Sequence, residues 1–104
     1  MRGFQKKQLL DSVEVLREAG GVLKEQQPGA EKVNLCADMQ DFTLAILNFL
    51  DNINEDDEKL TDQLSELYKI LLNVSQEEVS YEEPAALIDQ IRDYVEEKEQ
   101  AEDN

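Results

Sequence analysis

Carboxylates make up most of the chemistry this chain could offer, with twenty-five Asp and Glu against ten Lys and Arg and not one histidine. Their densest run is DNINEDDEKL, which begins at Asp51 and invites comparison with a calcium loop. An EF-hand needs oxygen ligands at its first, third and fifth positions, glycine at the sixth and a bidentate Glu at the twelfth. Starting at Asp51 puts Ile53 at the third position. Starting at Asn54 puts Lys59 where the glycine belongs and Ser65 where the Glu belongs. Neither register closes around calcium in that way, and a solvated helix start is the expected role.

Asp38 with Asp41, and Asp89 with Asp93, stand at helical spacing and could in principle act as acid and base. That work requires their pKa values to be split by a desolvated cleft. These positions fall on polar rows, so solvation is expected instead. The lack of histidine removes the commonest general base, the Glu-x-x-His pairs of di-iron bundles and zinc sites built on Cys and His. Cys36 is the single cysteine, so no internal disulfide can form. A reactive thiol needs a neighbouring cation or a helix N-terminus; Cys36 lies on the apolar side of its segment, with Lys32 and Lys59 as the candidate cations. A packed thiol is expected. EAGGVLK lacks both glycine spacings that cradle phosphates. The chain is therefore expected to be no enzyme and to hold no cofactor or metal.

The elements behind these residues are helical. Leu9, Val13, Leu16, Gly20 and Leu23, preceded by Phe4 and broadened by Leu10, alternate steps of three and four, which places them on one face of a helix. Gly20 and Gly21 together cost about 2 kcal/mol of propensity. The period continues through Val22 and Leu23, so the helix is expected to cross them and end before Pro28-Gly29. Close approach of a neighbouring helix over Gly20 would explain the glycine.

A second segment over 31–53 carries one polar row at Asn34, Asp38, Asp41, Asn48 and Asn52, with Ala45 filling the same row. Cys36, Ala37, Met39, Phe42, Leu44, Ile46, Leu47, Phe49, Leu50 and Ile53 surround them. A helix apolar around most of its circumference is central in its fold or covered by another molecule. A third segment follows the acidic NEDDE and carries Leu60, Leu64, Leu67, Leu71 and Val74. A fourth follows the polar linker SQEEVSY, with Ser80 and Glu83 at capping-box spacing, Pro84 in its first turn, and Ile88, Ile91 and Val95 as its seam. From Glu96 the chain is almost wholly polar. Residues 1–95 are thus expected to form an all-α, antiparallel up-down-up-down four-helix bundle, and 96–104 an acidic, disordered tail.

Charge is uneven along this plan. Residues 1–32 carry six basic and five acidic groups, whereas 33–104 carry four and twenty, a net of −16. Such a field opposes nucleic acid, which demands Lys and Arg for its phosphates, and opposes anionic membranes similarly. No run approaches the ~18 apolar residues of a spanning helix, and no signal-peptide core opens the chain. Cytoplasmic residence is the expectation.

Over KKQLLDSVEVLREA and NLCADMQDFTLAILNFLDN the chain resembles a helical region of Gram-positive, chiefly clostridial, proteins that also carry a CDP-glycerol glycerophosphotransferase-type or related cell-surface-polymer domain. There a KKQLL-like helix containing L-x-E-A precedes one reading roughly L-L-A-x-C-Q-x-x-A-I-x-I-G-N-x-I-E and two more helices. The likeness extends loosely over 6–95. Met39 replaces a favoured Cys, Leu47 a favoured Gly, and Gly20-Gly21 bulkier polar residues. The first loop is also shorter, and the transferase domain has no counterpart in these 104 residues. The resemblance implies an accessory helical module without catalytic residues of its own.

Independently of any family, Leu47 widens the apolar face of the second helix. Leu44, Leu47 and Leu50 are therefore the candidate interaction face, and the expected function is a non-catalytic adaptor or regulator that binds a protein partner or a second copy of itself. A small ligand-binding or enzymatic bundle with its site between helices is the alternative.

Overall fold

The computed structural model describes residues 3–25, 29–55, 57–75 and 82–102, and these form four helices. The first, α1 (Gly3–Glu25), buries Lys6, Leu9, Val13, Leu16, Gly20 and Leu23, the seam expected from the apolar spacing. It runs unbroken through the glycine pair. A Cβ placed on Gly20 would lie 3.3 Å from Ile88 Cδ1 and 3.9 Å from Ala85 Cα, so the fourth helix packs against nearly bare backbone there. Gly21 faces open space.

Pro28 lies outside the described residues, but Gly29 shows how the turn ends. Its φ of 152° and ψ of −170° belong to a region essentially reserved for glycine. Its carbonyl accepts the first helical bond, from Val33 N at 3.2 Å, and opens α2 (Ala30–Asn52). At the far end Asn54 takes φ 55°, which lets Glu55 N reach Leu50 O at 3.0 Å and Asn54 N reach Asp51 O at 3.0 Å. Those two bonds satisfy carbonyls the helix would leave orphaned, the Schellman arrangement with Asn in the left-handed position.

One member of the acidic turn starts the next helix, α3 (Glu58–Ser75). The Asp57 carboxylate accepts from Leu60 N at 3.0 Å while its carbonyl accepts from Thr61 N at 3.0 Å. It is thus an N-cap, satisfying an amide with no helical partner. Helix α4 (Glu82–Glu102) holds Pro84 in its first turn, where a missing N–H breaks no helical bond. Ser80, the other half of the expected capping box, lies outside the described residues. Helix α4 continues past Glu96, where the tail was expected to begin. Glu, Lys, Gln and Ala are good helix formers, and Arg92 Nη2 supports that turn at 3.4 Å from Glu96 Oε1.

Helix α1 packs on α2 and α4, and α3 packs on the same two, while the diagonal pairs stay apart. Arg17 meets Asp89 and Glu14 meets Arg92, so α1 and α4 run in opposite directions. The architecture is an antiparallel up-down-up-down four-helix bundle measuring 46 × 21 × 19 Å. Its core joins the α1 seam to Cys36, Met39, Ile46 and Leu50 of α2, Leu60, Leu64, Leu67 and Leu71 of α3, and Ile88, Ile91 and Val95 of α4.

Three polar residues accompany them. Thr43 is fully buried because its Oγ1 donates to Met39 O at 2.7 Å, leaving a side chain of valine-like shape. Lys6 and Lys32 are buried as well, and neither is without a partner. Their aliphatic stems can cover apolar surface while the ammonium stays engaged.

Candidate functional site

Between α1 and α2 the bundle does not close. Two depressions lie end to end along this seam, of about 440 Å³ and about 150 Å³. The larger is lined by Leu9 and Ser12 of α1 with Ala45, Ile46 and Phe49 of α2. Val15, Leu16 and Ala19 of α1 line the smaller, facing Leu35 and Met39 of α2. Phe42 lines both and forms the septum between them.

The walls follow from helical phase. Leu35, Phe42 and Phe49 are spaced by sevens, so they form a second apolar row beside the Cys36, Met39, Ile46 and Leu50 seam. All three are half-buried. Facing them, α1 presents small side chains, Ser12 and Ala19, which cannot fill the space the aromatics prop open. Val15 and Val22 continue the α1 wall, both about half exposed at 50% and 51%. Exposed apolar side chains gathered along a groove are the usual mark of a surface that another molecule covers.

The electrostatics of the groove have one sign. Asp11 and Asp38 line it, with Glu18 and Asp41 exposed on adjacent turns, and no Lys or Arg lines either depression. Arg17 of α1 faces elsewhere. Arg17 donates through Nε to Asp89 of α4 at 3.2 Å and through Nη1 to Glu14 at 3.1 Å. The hydrogen bond to the Glu14 carboxylate, ahead of the charge of Asp89, holds its guanidinium above the ordinary value. Lys24 follows Arg17 by seven residues and shares its row, whereas exposed Lys7 stands one turn before Asp11. Lys32 of α2 is buried.

The three leucines singled out in the sequence separate in space. Leu44 is 43% exposed, Leu47 is half-buried against the core, and Leu50 is a core residue at 2%. Leu44 and Leu47 lie on the flank of α2 that carries Gln40, whose Nε2 donates to Tyr68 O of α3 at 3.2 Å. The groove opens on the other flank. Phe42 and Phe49 are its walls, and Thr43 takes the core position between them.

The remaining candidates for chemistry are dispersed. Burial pushes the Cys36 thiol up despite the opposing pull of Lys32, so the inert form prevails. Asp38, Asp41, Asp89 and Asp93 are all exposed. Among the described residues no three His, Cys, Asp or Glu side chains converge as a metal site would require, and no helix is long and apolar enough to cross a membrane. A polar cleft of about 290 Å³ between α3 and α4 is lined by Lys59, Gln63, Gln90, Asp93, Tyr94 and Glu97.

Fold and groove together define a helical bundle whose α1/α2 seam is left open. The sequence matches no family model, and neither a curated protein nor a solved structure matches it.

Proposed function

We propose that this chain is a non-catalytic helical interaction module, an adaptor or regulator that engages a protein partner through α2 and the helix beside it. The observation that carries the reading is the α1/α2 groove, where Val15, Ala19, Leu35, Phe42 and Phe49 offer apolar surface beyond what the bundle covers. The resemblance over KKQLLDSVEVLREA and NLCADMQDFTLAILNFLDN supports service to cell-surface-polymer enzymes, in a cytoplasmic setting. Leu44 and Leu47 offer a second, smaller contact on the opposite flank of α2.

A second reading, a small-ligand site between helices, draws on the α3/α4 cleft. Gln63 lines it and holds Oε1 buried without a hydrogen-bond partner, a state that costs roughly 1–3 kcal/mol and that a donor on a ligand would relieve.

The two readings separate in a paired experiment. A photo-crosslinking amino acid replaces Ala45 in the groove wall, and the unlabelled chain is screened by thermal shift against polar metabolites. The module reading expects discrete protein adducts in cells, lost when Phe42→Glu is added, and no metabolite-dependent shift. A saturable shift with one metabolite class, lost in Gln63→Leu, would overturn it.

A further inference from the structure

We infer that the α1/α2 groove is built for a cationic amphipathic helix, with two apolar anchors at i and i+7 entering the two depressions and Lys or Arg flanking them. This rests on the interaction reading above and adds the chemistry of the partner. The anchor spacing comes from the septum. The residues of α2 that line the larger depression, Phe42 to Phe49, are displaced by seven positions from those lining the smaller, Leu35 to Phe42. Seven positions are about 10 Å along a helix axis, the separation of side chains at i and i+7 on one helix face.

The sign comes from the rim. Asp11 and Asp38 line the depressions, Glu18 and Asp41 extend the row, no Lys or Arg lines either one, and Arg17 is engaged by α4. An incoming apolar helix with acidic flanks would meet like charge on both sides, whereas Lys or Arg would meet opposite charge and be steered by it. A second copy of this chain is a poor occupant for the same reason. It brings another −15, and its own exposed apolar rows are bordered by carboxylates. The acidic stretch after Glu96 is excluded likewise.

The test uses the full chain and three synthetic helical peptides of about 18 residues, five turns. One carries Leu at i and i+7 with flanking lysines. A second keeps the leucines and replaces the lysines with Glu; a third keeps the lysines and replaces the leucines with Ala. Binding is read by fluorescence anisotropy and by amide chemical shifts. The first peptide is expected to bind, with shifts confined to the rows of Val15, Ala19, Leu35, Phe42 and Phe49. Asp11→Lys combined with Asp38→Lys, both on the surface, should weaken it by at least about tenfold, as loss of complementary charge predicts. The Ala-anchored peptide should be weakened to a similar degree.

Equal binding by the Glu peptide in the same groove would overturn the cationic partner and leave the interaction module standing. Undiminished binding of the Ala-anchored peptide, or shifts spread over α3 and α4, would show charge attraction without a groove and overturn the inference. So would the absence of groove shifts with all three peptides. A mass that doubles with concentration, accompanied by shifts at Phe42 and Val15, would assign the groove to a second copy instead.

Discussion

Along α4, helix α1 is drawn in close: Gly20 presents backbone to Ile88, and Arg17 and Glu14 reach across to Asp89 and Arg92. Along α2 the same helix leaves a trough, propped by Phe42 and Phe49 opposite Ser12 and Ala19 and bordered by carboxylates. One helix thus has a closed flank and an open flank, and the difference is set by side-chain size at the crossing. Glycine lets axes approach until backbone meets side chain. A half-buried aromatic facing a small residue holds the axes apart without filling the gap.

The largest expected effect contrasts what lies under the groove with what lies outside the bundle. Ile46→Glu buries an unpaired carboxylate at a position only 3% exposed, which costs several kcal/mol against a total of about 5–15. Circular dichroism should show an unfolded chain. Leu44→Glu, on the surface, should melt like wild type, with Leu47→Glu between them. If Leu47→Glu collapses the fold as fully as Ile46→Glu, that flank of α2 belongs wholly to the core.

Next in size is the comparison of the two flanks. Ile88→Ala opens a cavity in the closed flank and should cost about 2–5 kcal/mol in urea unfolding. Phe42→Ala removes a larger side chain from a partly solvated trough and should cost about 1–2 kcal/mol. Equal losses would show that the trough is closed packing.

Smaller still are the glycines. Gly21→Ala should stabilise by about 0.5–1 kcal/mol, since nothing opposes the new Cβ. Gly20→Ala carries the same gain in propensity but must displace Ile88 Cδ1 by a few tenths of an ångström, so it should stabilise less or destabilise. A greater gain at Gly20 would mean that close approach to α4 sets no limit.

The smallest effect asks whether water reaches the core beside the trough. Burial raises the Cys36 thiol, so the folded chain keeps its proton where an unfolded thiol, near pH 8.5, would lose it. The resulting stability is present below that pH and declines as pH climbs toward the raised folded value. Relative to Cys36→Ala, the wild-type midpoint should fall faster as pH rises above about 8.5. Parallel curves would indicate a hydrated thiol.

Much of the bundle could be read from spacing alone. Leu9, Val13, Leu16, Gly20 and Leu23 allow one buried face, and the structure buries it. Helix α2 resisted because apolar residues occupy most of its circumference, so periodicity leaves the phase open by a residue or two. The threonine at 43 reads as polar until its hydroxyl is seen bonded to Met39 O, and that bond shifts the seam onto Thr43 and Leu50 and turns Phe42 and Phe49 toward α1. The row of sevens at Leu35, Phe42 and Phe49 was the available signal for the groove. Its partner row on α1 is interrupted by Asp11 and Glu18, which hid the match. Lys6 and Lys32 carried no sign of burial, because the stem that packs and the ammonium that finds a partner belong to one residue type.

Tyr94 of α4 donates its hydroxyl to both oxygens of Asp57, at 2.8 and 3.0 Å, and Lys59 Nζ stands 4.7 Å from its ring centroid. A phenol bonded to a carboxylate and facing an ammonium absorbs and emits differently from one in water. With no tryptophan and only three tyrosines in the chain, that difference is not masked by a stronger chromophore. The ring therefore acts as a built-in optical gauge of one joint, the seating of α4 against the first turn of α3, and it lies on the far side of the bundle from the groove. Ultraviolet difference spectra can follow that joint while a ligand enters the trough, separating local docking from loosening of the whole bundle without any added label.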